Sequence, residues 1–288
     1  MNWLIYAILG IVLVGISPVF AKNGMRKCSS NLAAAIYGTA FFIAVNCALS
    51  FMDISLNLAQ MGQTVFLYLL FLGLSIGMMW MCLFRALKSW KINNVIPIAK
   101  ASLVFEILIG IFILRDEVVK NKIIVLILVG IGTVLMATNM GGKTSKKKTW
   151  IGNAIAAAIF LSLSSLLDQV APGNIDNTFK YLVGYAIALI VVWVLTFASG
   201  NYRGVSSMSF LDGLYLCMSG TCIAGALYCF YKTKLLNPNV NMEMIVQFDL
   251  PAMVISSYIF LKERLSTMAV FGMLLILAGI WVCHMNPI

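Results

Sequence analysis

Charge is what this chain has least of: 10% of its 288 residues are charged, with only 10 Asp and Glu in total, where soluble domains carry roughly 25%. So few charges cannot cover a water-facing surface, and a soluble globular fold is excluded. Histidine is nearly absent as well. His284 alone builds neither a zinc site nor a Ser-His-Asp triad, and HExxH, GxGD and GxSxG do not occur, which argues against an intramembrane enzyme. The seven cysteines form no CxxC pair and lie mostly in apolar runs, where Cys behaves as a small hydrophobe. No disulfide framework, metal site or resident cofactor is expected. The N-terminal MNWLIYAILGIVLVGISPVFA has no basic n-region or A-x-A site and is long enough to span a bilayer, so it reads as a retained transmembrane helix.

What the chain has is apolar length, with 61% of residues hydrophobic. Ten runs suit a hydrocarbon core of about 30 Å: roughly 3–21, 32–52, 64–84, 92–114, 122–140, 150–167, 179–199, 211–231, 239–261 and 266–285. The expected fold class is an all-α polytopic membrane protein with ten transmembrane helices. The net charge of +10 needs no nucleic acid. Lys and Arg in short loops are topogenic signals with anionic lipid as counter-charge. Thirteen of them fall in the loops of one face and six in the other, which puts the first face in the cytoplasm and both termini outside.

The fourth run, with the residues that flank it (91–117, KINNVIPIAKASLVFEILIGIFILRDE), recurs 147 residues later. At that offset Asn94 maps to Asn241, Lys100 to Gln247, and Leu114-Arg115-Asp116 to Leu261-Lys262-Glu263. Trp3 maps to Trp150, Lys22 to Gln169, Gly73 to Gly220 and Gly132 to Gly279. The reading is a duplication: residues 1–140 as one repeat, a basic linker at 141–149 and residues 150–288 as the second. Five spans per repeat is an odd number, so the second copy enters the membrane from the opposite side, a five-plus-five inverted-topology repeat of the kind alternating access uses.

Four ionisable residues are placed inside spans: Lys100 and Glu106 in the fourth, Glu243 and Asp249 in the ninth. Each costs a few kcal/mol near the bilayer centre, which makes it a candidate for function. At about 1.5 Å per residue, Lys100 lies roughly 4 to 5 Å from the middle and Asp249 within about 2 Å, but Glu243 lies roughly 10 Å away on the far side. Depth therefore pairs Lys100 with Asp249. Helical azimuth disagrees, because the Lys100 face (with Asn93 and Pro97) maps to the Gln247 face, which carries Glu243. Asn94 and Asn241 join the candidates, as do Ser17 and Ser164 from the Gly15-Ile-Ser17-Pro18 and Ser162-Leu-Ser164-Ser165 stretches. There a lost backbone hydrogen bond needs a neighbour, either in a packed kink or in a cavity-lining bend. Pro251 has Val104 as its counterpart, so the two spans are expected to bend differently.

Ten spans, the charged turns Leu114-Arg115-Asp116-Glu117 and Phe260-Leu261-Lys262-Glu263, and Pro97-Ile98-Ala99-Lys100 together resemble the EamA branch of the drug/metabolite transporter superfamily. The resemblance implies a secondary transporter in the plasma or inner membrane. Its fourth and ninth helices contribute polar residues to a central cavity. The expected substrate is a small polar metabolite, an amino acid or amine, with coupling to H+ or Na+. A passive facilitator is the alternative. The expected partners are that substrate and the lipid bilayer, with no nucleic acid, in a monomer or homodimer. Coupling falls first on Glu243 and then on Asp249. Lys100 either contacts an anionic group of the substrate or holds an acid in its charged form.

Overall fold

The computed structural model describes residues 2–50, 62–115, 119–138, 149–172, 177–240 and 242–285. The linker positions 141–148, Asp116, Asn241 and the side chains of Glu243 and His284 lie outside the described residues. Among those described, all regular structure is helical. The helices are α1 Asn2–Gly24, α2 Ser30–Ser50, α3 Gln63–Ser89, α4 Ile92–Lys100, α5 Ser102–Ile109, α6 Lys120–Thr138, α7 Thr149–Gln169, α8 Asn177–Ala198, α9 Phe210–Leu236, α10 Met242–Val246, α11 Asp249–Leu261 and α12 Thr267–Met285. A π-helical turn, Gly110–Leu114, continues α5. Among the described residues, eight helical segments are long and apolar enough to cross a membrane, with α4, α5 and the π turn as far as Ile113 counted as one. The ninth and tenth spans are the shorter apolar helices α11, preceded by α10, and α12.

Helices α3 and α9, the third and eighth spans, are longer than their apolar runs, at 27 residues each. Arg85 and Lys88, like Lys232 and Lys234, end hydrophobicity without ending the helix. Cations in a last turn also suit the negative end of the helix dipole.

The halves pack as a two-fold pair. Helix α1 lies on α9 as its counterpart α7 lies on α3; α2 lies on α9 as α8 lies on α3; α1 meets α11 as α7 meets α4 and α5; and α6 packs on α12. Apolar side chains gain nothing by leaving lipid for each other, so close contact must come from small residues. Gly73 and Gly220 provide it at repeat-equivalent places. A Cβ on Gly73 would stand 2.7 Å from the Gly184 carbonyl oxygen, and one on Gly220 2.5 Å from the Tyr37 carbonyl oxygen. Both obstacles are backbone. Gly220→Leu is therefore expected to lower stability by roughly 3 kcal/mol, read as thermal unfolding in detergent. Gly152→Ala, where a Cβ meets nothing within 4 Å, is expected to be neutral or stabilising by up to about 1 kcal/mol.

Candidate functional site

The fourth and ninth spans are each broken, and at equivalent places. Helix α4 ends at Lys100 and α5 restarts after Ala101, whose ψ is 0°; α10 ends at Val246 and α11 restarts after Phe248, whose ψ is −3°. The breaks fall at the same repeat position but differ in form, one residue long in the fourth span and two in the ninth. Pro251, in the first turn of α11, has no N–H to return to residue 247, which accounts for the second break. The first has no such proline. The Val104 N–H is present and bonds the Ala101 carbonyl at 2.9 Å in a tight turn.

These breaks put charge on helix ends. Lys100 closes α4, where the dipole favours a cation, and Asp249 opens α11, where it favours an anion. The two meet: Lys100 Nζ donates to Asp249 Oδ2 at 2.6 Å. Asp249 is nearly sealed off, its side chain 6% exposed against 22% for Lys100. Its second oxygen, Oδ1, is buried and has no hydrogen-bond partner among the described residues. A buried acceptor left open in this way is costly, and it offers a place for a proton, a metal cation or an ammonium group.

Depth, not azimuth, identified the partner of Lys100. The azimuth argument carries helical rotation through Gln247 and Phe248, where the structure has a turn, so it cannot be extended onto α11. Gln247 itself sits in that turn, half-buried.

Glu106 lies away from this pair. Its Oε1 accepts from Ser165 Oγ at 3.0 Å and Gln169 Nε2 at 2.6 Å, both on α7. Ser164, next to Ser165, donates instead to the Leu161 carbonyl of its own helix at 2.8 Å. Ser17 forms a reciprocal contact with Ser219: its Oγ is 3.1 Å from the Ser219 carbonyl oxygen, and Ser219 Oγ is 2.9 Å from that of Ser17. It is a buried seam between α1 and α9. Trp80 and Tyr185 pack edge-on against Phe41, with ring centroids 5.6 and 4.9 Å away, and belong to the core.

Asn93 and Asn94 hold the other end of α4. Asn94 Nδ2 donates to the Met136 and Ala137 carbonyls at 3.1 and 3.2 Å, near the end of α6. Asn93 Oδ1 accepts from Ser257 Oγ at 2.5 Å, and its Nδ2 donates to the Glu263 carbonyl at 3.3 Å. The Glu263 carboxylate bonds Lys22 Nζ at 2.8 Å and the Ile92 and Asn93 N–H groups at 3.3 Å each. A cavity of about 610 Å³ opens here, lined by Lys91, Asn94, Lys262, Glu263 and Arg264 among others. Because Glu263 and Ile92 meet at one end and Lys100 and Asp249 at the other, α4 and α11 run antiparallel.

Buried charge within helices is not limited to the four candidates. Lys122, Lys180 and Asp212 also lie within helices and are buried, at 8%, 4% and 7% exposure. Lys180 is ion-paired with Asp168, whose Oδ2 also accepts from Tyr181 Oη at 2.7 Å. The signal was a lysine one residue inside an apolar run. The cluster ties the end of α7 to the start of α8.

The sequence profile of the EamA-like transporter family matches residues 1–138 and 148–284. A Sinorhizobium sp protein described as an uncharacterized transporter in the cobO 3' region is 24% identical over 136 residues, 47% of this chain and 96% of that protein. A solved crystal structure aligns over 97% of this chain and 98% of its own with a TM-score of 0.65 at 15% identity, a likeness of fold.

Proposed function

Because the chain belongs to the EamA-like transporter family, we propose that it is a secondary transporter that carries a small polar metabolite, an amino acid or amine, across the cell membrane by alternating access coupled to H+ or Na+. One observation carries the reading. Two antiparallel segments of broken spans bring a half-buried lysine and a buried aspartate together, and one aspartate oxygen has no hydrogen-bond partner among the described residues. Broken spans of inverted repeats put binding groups where both halves reach them.

In this mechanism Asp249 Oδ1 receives the coupling cation, or the ammonium group of the substrate. Lys100 keeps the Asp249 carboxylate compensated while that position is empty. An arriving cation takes over part of this compensation and frees the Lys100 ammonium for an anionic group of the substrate. Glu243 remains a second candidate for coupling, on sequence grounds.

Purified protein in liposomes tests the reading. Uptake of amino acids and amines is expected to saturate, to respond to an imposed pH or sodium gradient and to collapse when that gradient is dissipated. Uptake that follows the solute gradient alone and ignores both ions marks a facilitator. The loop charges support a cytoplasmic linker, so a cysteine at Lys147 is expected to resist a membrane-impermeant maleimide in intact cells and to react in permeabilised ones.

A further inference from the structure

Helix α4 begins without a capping residue of its own. Lys91 precedes it and makes no side-chain cap, so the first amides of a helix deep in the bundle need acceptors from elsewhere. Glu263, from the other half, supplies both: Oε1 faces the Ile92 N–H and Oε2 the Asn93 N–H. Lys262 makes this reach possible. It adopts a left-handed backbone (φ 54°) just past α11, which turns the next residue back toward the bundle. Lys22, at the end of α1, then completes the cluster, bonding Glu263 Oε1 at 2.8 Å and the Trp90 carbonyl at 2.7 Å. One carboxylate, 8% exposed, thereby ties α1, α4 and α11.

Its position gives this tie a consequence. The 610 Å³ cavity is lined by Glu263 together with Lys91, Asn93 and Asn94, whereas Ser257, buried and bonded to Asn93, lies outside its lining. Helix amides that lose a carboxylate must be solvated, and this cavity offers water a route to them. With Glu263 seated, the Ile92 and Asn93 amides are capped and Ser257 stays buried; with Glu263 released, those amides must take their partners from the water of the cavity. The opposite end has a related arrangement, where Gln169, the repeat counterpart of Lys22, grips Glu106 of the first half at 2.6 Å.

We propose that Glu263 is the positioning residue that closes this end of the transporter, holding the N-terminus of α4, and through it Lys100, by a capping contact that must break for the end to open. The proposal deepens the transport reading, but its test needs no substrate. Val254, 3% exposed and about one turn deeper on α11 than Ser257, serves as the reporter. In Val254→Cys protein in oriented vesicles, reaction with a small membrane-impermeant thiosulfonate is measured on the peptide that holds residue 254. Adding Glu263→Gln is expected to speed that reaction at least tenfold when reagent is applied from the Glu263 end, and to leave reaction from the opposite end unchanged. Lys22→Met is expected to act in the same direction by a smaller factor, since the helix amides keep their acceptor, and it decides the matter if Glu263→Gln does not fold. An unchanged rate, or an equal rise from both ends, overturns the proposal. A face-specific rise in a protein that moves no substrate preserves the closing role and sinks the transport reading alone.

Discussion

Lys100→Met is expected to reduce saturable transport by a factor of about 100 or more. Truncating one partner of a buried, hydrogen-bonded charge pair in a binding site costs about 2 to 5 kcal/mol of binding, and every 1.4 kcal/mol is about tenfold. The partial exposure of Lys100, 22%, puts the expectation in the lower half of that range. How transport fails separates the two roles open to this lysine. If its ammonium binds an anionic group of the substrate, saturable binding disappears with it. If its role is to compensate Asp249 until a cation arrives, some binding survives and the dependence on pH or sodium weakens. Both are read from binding isotherms and initial uptake rates, normalised to folded protein. Normal transport with unaltered affinity and pH profile removes Lys100 from the site.

The double variant Lys100→Met/Asp249→Leu is expected to separate folding from transport. A buried pair replaced by apolar side chains of similar volume commonly costs nothing, or even stabilises, and here the replacement also removes the open oxygen of Asp249. The single variant should be less stable than the native protein by about 3 kcal/mol, read as a lower unfolding temperature. The double variant should regain most of that loss and transport nothing. Recovery of transport in the double variant means that the pair is structural and the substrate binds elsewhere. Failure to recover stability means that the break between α10 and α11 itself depends on Asp249 at the start of α11.

Much of this architecture could be read without coordinates, and the limits of that reading have physical causes. Ten spans follow from apolar length alone, because a bilayer tolerates few alternatives to a helix that spans it. The pairing of Lys100 with Asp249 followed from depth, since rise per residue is nearly constant even through a kink. Rotation is not conserved through a kink, so the azimuth of Asp249 was lost at Gln247 and Phe248. The break at Ala101 had no sequence mark, because no proline or glycine stands there and the turn comes from packing. Glu263 was seen as a charged turn; its bond to the amides of α4 joins residues about 170 positions apart, which no local pattern encodes. Lys180 went uncounted because it stands at the edge of an apolar run, where a cation is ordinarily taken as interfacial.

The left-handed residues Arg115 and Lys262, φ 59° and 54°, end two arms of equal length. From the break at Ala101, eight residues of α5 and five of the π turn lead to Arg115; from the break at Phe248, the thirteen residues of α11 lead to Lys262. At about 1.5 Å per residue each arm measures nearly 20 Å, about two thirds of a hydrocarbon core near 30 Å. Since the arms point in opposite directions away from the Lys100–Asp249 contact, they work as matched rulers laid end to end rather than side by side. Lys100 and Asp249 stand at the zero marks. One residue added to either arm would slide its mark by about 1.5 Å and turn it by about 100°, so the two lengths are fixed against each other by the contact they set.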